Sequence, residues 1–264
     1  MAVNNIPFGG EAGSPLDEGN DRKIETLGVL NFGPYIAHFK AHKELINGLL
    51  KRGNLKTKGS ANKHLAGYMG DQRDYTMEDK KWFVQEFQPY VDEYVEGTCR
   101  WVKAQYSEPQ WSKSYALMGL WINYMKANDF NTEHIHKGML TWIIYLKSPN
   151  LDEERKKYEG KSFAPGGVLF HYGEHSNPQW AEHSHGYLPQ EGYIWIFPAM
   201  TRHEVIPFKS PGERISVSGN LYFIHPTKKS TAELPNLQDV PMQESEDIAG
   251  LAADAGRPKH IHDK

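Results

Sequence analysis

Thirteen histidines occur in the 264 residues, and seven of them (His134, His136, His171, His175, His183, His185 and His203) fall between residues 134 and 203. Imidazole is the commonest metal ligand and the side chain that changes charge near neutral pH, so clustering of this kind calls for a chemical reason. The sharpest feature is His134-Ile135-His136. In an extended segment, side chains at i and i+2 point to one face, so both imidazoles can meet one ion. Taken alone, such a pair also fits a structural or surface role. Cys99 is the single cysteine, which excludes an internal disulfide and a cysteine-based zinc cluster. Neither a glycine-rich phosphate loop nor a GxSxG elbow occurs.

The elements that must position these residues show in the hydrophobic pattern. Aromatics make up 12% of the chain, which supplies a large core although hydrophobic residues total only 39%. Phe8 is the only aromatic before Phe32 and none follows Phe223. Residues 1–25 therefore read as a flexible arm and 226–264 as a loosely packed or disordered tail. The spacing predicts a helix over 34–52, with Ile36, Phe39, Leu45, Ile46, Leu49 and Leu50 on one face and Gly53 as its stop. Thr76 followed by Glu78 and Asp79 marks a second helix start, and Pro89 is expected to kink or divide that helix.

After Trp111 the period changes to two, or to short apolar runs. Strands are expected at 115–125, 138–147, 167–172, 192–197, 203–208 and 213–224. Many short strands without interleaved helices indicate a mainly β domain over 26–225, with helices within 34–106 packed outside a jelly-roll core at 115–225.

The net charge of −3 gives no reason to expect nucleic acid or an anionic membrane as partner. Neither a signal peptide nor a run long enough to span a bilayer is evident, so a reducing, cytoplasmic setting is expected.

Arg214 lies eleven residues beyond His203, again within a strand-like run. The ordered set Trp121-x-Asn123, His134-x-His136, Tyr145-Leu146, Phe197-Pro198, His203-x-Val205 and Arg214-x-Ser216 to Asn220 resembles the iron(II)- and 2-oxoglutarate-dependent dioxygenases. It is closest to a prolyl-hydroxylase-like subgroup of marine bacteria and phages. The resemblance covers about residues 115–224. It implies a double-stranded β-helix (jelly-roll) core and a hydroxylase of a prolyl, amino-acid or other small substrate, with dioxygen as oxidant.

The resemblance also implies roles for residues. His134, His136 and His203 would supply a three-ligand face to Fe(II), leaving positions for a 2-oxo acid and dioxygen. Arg214 would grip the distal carboxylate of 2-oxoglutarate in a two-pronged contact, aided by Ser216 and Tyr145. Only one of Asn123 and Tyr124 can line the pocket, because neighbouring strand residues face opposite ways: Asn123 would bind the keto-acid end, while Tyr124 fits a prolyl-hydroxylase tyrosine by spacing. His136 departs from the family pattern, which has a carboxylate there. Three neutral imidazoles leave the metal more positive, and the 2-oxoglutarate anion would restore neutrality. Glu133 is adjacent, but its parity aims it away.

Two other readings stand beside this one. A cupin-like enzyme with three histidine ligands and no 2-oxoglutarate would leave Arg214 as a salt-bridge partner. A non-catalytic binding module would use the metal for stability alone. The histidine-rich loop 171–187, with Trp180, reads either as a substrate rim or as plain surface. His171 at the strand end is placed facing the pocket.

Overall fold

The computed structural model describes residues 24–31, 33–53, 65–103, 114–157, 165–173 and 184–223. Residues 1–23, the tail 226–264, and His175, Trp180 and His183 of the histidine-rich loop lie outside the described residues. The elements run β1 (Thr26–Asn31), β2 (Tyr35–Lys40), α1 (Lys43–Gly53), β3 (Asp71–Asp74), α2 (Met77–Lys103), β4 (Tyr115–Met125), β5 (Asn131–His134) and β6 (Leu140–Lys147). There follow α3 (Asp152–Arg155), β7 (Val168–His171), β8 (Ser184–Tyr187), β9 (Tyr193–Pro198), β10 (Arg202–Val205) and β11 (Arg214–Phe223).

These strands form two antiparallel sheets, in the orders β1-β2-β9-β6-β11-β4-β3 and β5-β10-β7-β8. From β4 onward the chain steps between sheets: β4, β6, β9 and β11 belong to the large one, β5, β7, β8 and β10 to the small one. That alternation is a double-stranded β-helix, with β1, β2 and β3 added at the edges of the large sheet. Ile143, Tyr145, Trp195 and Phe197 of the large sheet share a core with Val168 and Phe170 of the small one. On the other face, Ile122, Trp142, Ile144, Ile196 and Val217 pack with Leu45, Leu49, Phe83, Phe87 and Tyr90 of the two helices. Strand β6 is covered on both sides, which is why its sequence LTWIIYL is buried throughout and, apart from Thr141, does not alternate with polar residues. Gly219 keeps β11 bare beneath Trp142: a Cβ there would lie 2.3 Å from the indole.

The second helix begins as Thr76 predicts. The Thr76 Oγ1 accepts from the Asp79 amide at 3.2 Å, and the Asp79 carboxylate accepts from the Thr76 amide at 3.1 Å, a reciprocal cap. Pro89 does not divide the helix, which runs unbroken from Met77 to Lys103. Phe83, Phe87, Tyr90, Val91 and Tyr94, on both sides of the proline, are buried against the sheet. Their burial outweighs the one backbone bond that proline removes, since each large side chain contributes about 1.5–3 kcal/mol.

The expected helix over 34–52 is corrected at its start. Residues Tyr35–Lys40 form β2, paired with β1 and β9, and only Lys43–Gly53 is helical. The spacing of Ile36 and Phe39 fits either period, and pairing with β9 decides it: Ile36 joins the core between the sheets while Phe39 joins the core under the helices. The strand expected over 203–208 ends at Val205. The end of the 171–187 loop is strand β8, paired with β7.

Glu154 pins the segment that leads into β11. Its buried carboxylate accepts from the amides of Lys209 (2.8 Å) and Ser210 (2.6 Å) and from the Ser210 hydroxyl (2.6 Å). Burial raises its pKa, but the bonds from Ser210 and Lys209 outweigh it, and the net shift is downward. The stabilisation is therefore present above the ordinary carboxylate range and lost as pH falls through the lowered folded value. Glu154→Ala is expected to cost about 1–3 kcal/mol in urea unfolding at pH 7, because it leaves buried donors unpaired. The cost should shrink toward pH 3.

Candidate metal centre and its anion pocket

His134 ends β5 and His203 lies in β10, opposite each other in the ladder of the small sheet. His136 follows two residues after His134, its amide bonded to the Ala199 carbonyl at 2.9 Å. Gly138 continues that connection at φ +102°, where a side chain would be strained and would press on the Leu221 carbonyl. The three histidines each offer a ligand atom, all within 4.8 Å of one another. Ring centroids are 4.3 Å apart for His134 and His203, 4.9 Å for His134 and His136, and 5.0 Å for His136 and His203.

Two of the rings share one orienting device. His134 Nδ1 lies 2.7 Å from the Thr132 carbonyl, and His203 Nδ1 lies 2.9 Å from the Thr201 carbonyl. A carbonyl only accepts, so Nδ1 carries the proton and Nε2 keeps its lone pair. In both cases the acceptor is the main-chain carbonyl two residues before the histidine, so the identity of that residue leaves no signal in the sequence. Burial, with the neighbouring His134, pushes His136 down to about 3. Burial likewise lowers His134, and lowers His203 well below the ordinary imidazole value, with His134 and His136 adding to the shift. At neutral pH the cluster is three neutral imidazoles, a donor set suited to a divalent transition metal.

A second group of polar residues lies on the inner face of the large sheet, the face that carries Tyr145. Ser216 pairs with Asn123 on one side and Tyr145 on the other, and Asn123 pairs in turn with Gln72 of β3. These four residues therefore line one row. Arg214, two residues before Ser216, shares their face. Its guanidinium is buried, 2% exposed, and sits 4.9 Å from the Tyr145 ring centroid. Its Nη1 points to the Met125 sulfur at 3.4 Å, and its Nε has no partner. Among the described residues no carboxylate pairs with Arg214. The Tyr145 hydroxyl is also buried without a partner. A permanent buried cation beside an unsatisfied hydroxyl fits an anionic ligand, because both would otherwise be costly to desolvate.

Tyr124 is not part of this row. It faces the helices, and its hydroxyl donates to the Gly53 carbonyl at 3.1 Å. With Tyr124 claimed by the helix face, strand alternation leaves Asn123 on the opposite face. His171 also faces outward, contrary to its expected place: its Nε2 lies 3.1 Å from Glu204 and 3.8 Å from Glu133 on the outer side of the small sheet. Glu133 is held there too, 3.1 Å from Arg202. Gln72 is the pocket residue that the sequence reading missed. The strand DQRD has no apolar pattern, and only its pairing with β4 brings it in.

One comparison with known proteins falls on the part of the chain that carries these residues. Residues 119–220 match the protein family described as "Putative 2OG-Fe(II) oxygenase". No curated protein matches the chain. Solved structures similar to it include a prolyl-4-hydroxylase from Pseudomonas putida, 13% identical over 70% of this chain and 90% of that one, with a TM-score of 0.41. A 2OG-Fe(II) oxygenase family oxidoreductase from Burkholderia pseudomallei is 15% identical over 70% and 83%, with a TM-score of 0.41. A prolyl hydroxylase from Trichoplax adhaerens, in complex with a hypoxia inducible factor peptide fragment, is 11% identical over 72% and 83%, with a TM-score of 0.43. Among the described residues no helix is long and apolar enough to cross a membrane. The segment from β4 to β11 is thus similar to a family described as an Fe(II)-dependent oxygenase that uses 2-oxoglutarate.

Proposed function

We propose that the protein is a hydroxylase, coupling decarboxylation of 2-oxoglutarate to hydroxylation of a C–H bond on a prolyl, amino-acid or other small substrate. In this reading His134, His136 and His203 hold Fe(II). Arg214 binds the distal carboxylate of 2-oxoglutarate, with Tyr145 and Ser216 as its hydrogen-bonding neighbours and Asn123 at the keto-acid end. Loaded in this way, the site supplies the oxidising chemistry: 2-oxoglutarate, dioxygen and substrate C–H give succinate, carbon dioxide and substrate C–OH.

The chain's own residues do the positioning. The Thr132 and Thr201 carbonyls fix two imidazoles through Nδ1, which leaves Nε2 as the ligand atom; on His134 that atom lies 3.2 Å from Asn131 Nδ2. The aromatic rings of Phe170 and Phe197, 6.2 and 4.9 Å from His203, wall off water behind the cluster. Arg214 carries the charge that an incoming dianion needs, on a planar fork already buried and oriented.

The observation that carries this reading is the unpaired guanidinium. A three-histidine enzyme without 2-oxoglutarate would keep Arg214 for a structural ion pair, and none is present among the described residues. The test is release of succinate from 2-oxoglutarate by protein with added Fe(II) in air, without any prime substrate. Slow, metal-dependent succinate formation is expected. None above the metal-free control would overturn the proposal.

A further inference from the structure

Gln72 makes a hydrogen bond, on the side away from β11, that decides which way Asn123 faces. Its Nε2 donates to Asn123 Oδ1 at 2.7 Å, and both side chains are buried. The two residues are directly opposed across the β3–β4 ladder, and Asn123 is opposed on its other side by Ser216, in the row that leads to Tyr145. A carboxamide presents an acceptor and a donor on opposite branches. With Oδ1 drawn toward β3 by Gln72, the Nδ2 branch is turned toward β11 and the anion pocket. Without that bond the amide could turn over and set an acceptor against the same space. An acceptor facing an anionic ligand is repulsive, whereas a donor facing it makes a charge-assisted hydrogen bond.

We infer that Gln72 is a positioning residue for the 2-oxo acid: it locks Asn123 with its amide N–H groups toward the keto-acid end of the co-substrate. This rests on the proposed function, since it needs 2-oxoglutarate in the pocket. It adds a residue outside the family-matched segment to the co-substrate site, supplied by an edge strand that the segment does not contain. Gln72 touches Asn123 and acts through it.

The experiment measures anaerobic binding of 2-oxoglutarate and of succinate to full-length protein loaded with Mn(II), by calorimetry. Succinate has carboxylates for Arg214 but no 2-oxo acid group for Asn123. Gln72→Leu is expected to raise the Kd for 2-oxoglutarate on the order of tenfold, the scale of one hydrogen bond to a charged group. Its Kd for succinate should stay within about twofold. In an Asn123→Ala background the same change should have no further effect beyond about twofold, because neighbours acting through one contact are not additive. Asn123→Asp guards against loss of folding: it keeps an acceptor for Gln72 but has no donor, and should weaken 2-oxoglutarate binding like Asn123→Ala. Equal weakening of succinate and 2-oxoglutarate, or a full effect of Gln72→Leu in the Asn123→Ala protein, would overturn the inference by making Gln72 a plain packing residue. Wild-type protein that binds no 2-oxoglutarate would overturn the proposed function itself, before any Gln72 variant is compared.

Discussion

Arg214→Ala is expected to remove 2-oxoglutarate binding almost completely. Truncating one partner of a buried, hydrogen-bonded charge pair costs about 2–5 kcal/mol, which is roughly 30- to 5,000-fold in Kd. Arg214→Lys keeps the charge but not the planar fork, so its loss should be smaller yet measurable. The guanidinium also makes a prediction about stability. It is buried with an unpartnered Nε and only a thioether at Nη1, so it contributes little to the ligand-free fold. Arg214→Met, apolar and of similar length, is therefore expected to hold or raise the melting temperature of the ligand-free protein while abolishing 2-oxoglutarate binding. Calorimetric titration and thermal unfolding of the same two samples check both halves. Unchanged binding in Arg214→Ala would make Arg214 structural and favour a three-histidine enzyme that does not use 2-oxoglutarate.

His203→Ala is expected to give the other large loss, of metal. Removing groups that merely orient a ligand typically costs 10–100-fold in metal affinity, so removing a ligand itself should exceed about 100-fold. His203 is the most enclosed of the three, 2% exposed between Phe170 and Phe197, and among the described residues no fourth His, Cys, Asp or Glu joins the cluster. His136→Ala should behave similarly, because Glu133 is held by Arg202 on the far side of its strand and cannot swing in. Metal analysis after dialysis against Fe(II) under anaerobic conditions reads both. Full iron occupancy in either variant would move that ligand elsewhere. The same burial has a pH consequence for the metal-free protein. Unfolded imidazoles take up protons below about 6.5, whereas His136 resists to about 3, so stability should fall as pH drops from 7 to 5. His203→Ala should flatten that slope.

Much of the core was legible in local pattern. Strand β4 occupies Tyr115–Met125, the bounds its alternating run suggests, and Thr76 with Asp79 caps α2 where the residue types imply. Three of the strands that escaped notice share a cause. DQRD, NTEH and SHGY have no apolar alternation, because they lie at sheet edges or beside the polar pocket and form only through pairing with β4, β10 and β7. Local hydrophobicity carries no trace of such partners. YIAHFK failed differently: Ile36 and Phe39 are three apart, which suits a helix face as well as the two sides of a buried strand.

For the site, residue type and order by themselves determined which chemistry is possible: one HxH pair, a distal His, a following Arg, and no cysteine cluster to compete with them. Strand parity already required that Asn123 and Tyr124 face opposite ways, since successive side chains alternate across a sheet. Which of them faces inward was settled only by the packing of α1 and α2 on one face of the large sheet, which claimed Tyr124 and left Asn123 to the pocket. Tertiary structure likewise decided that His171 pairs outward with Glu204, that Gln72 meets Asn123 across 51 positions of sequence, and that Arg214 has no acidic partner among the described residues. The reason is one of range. Side-chain chemistry and alternation are properties of a few consecutive residues, whereas the partner of a buried charge is chosen by strands brought together from distant parts of the chain.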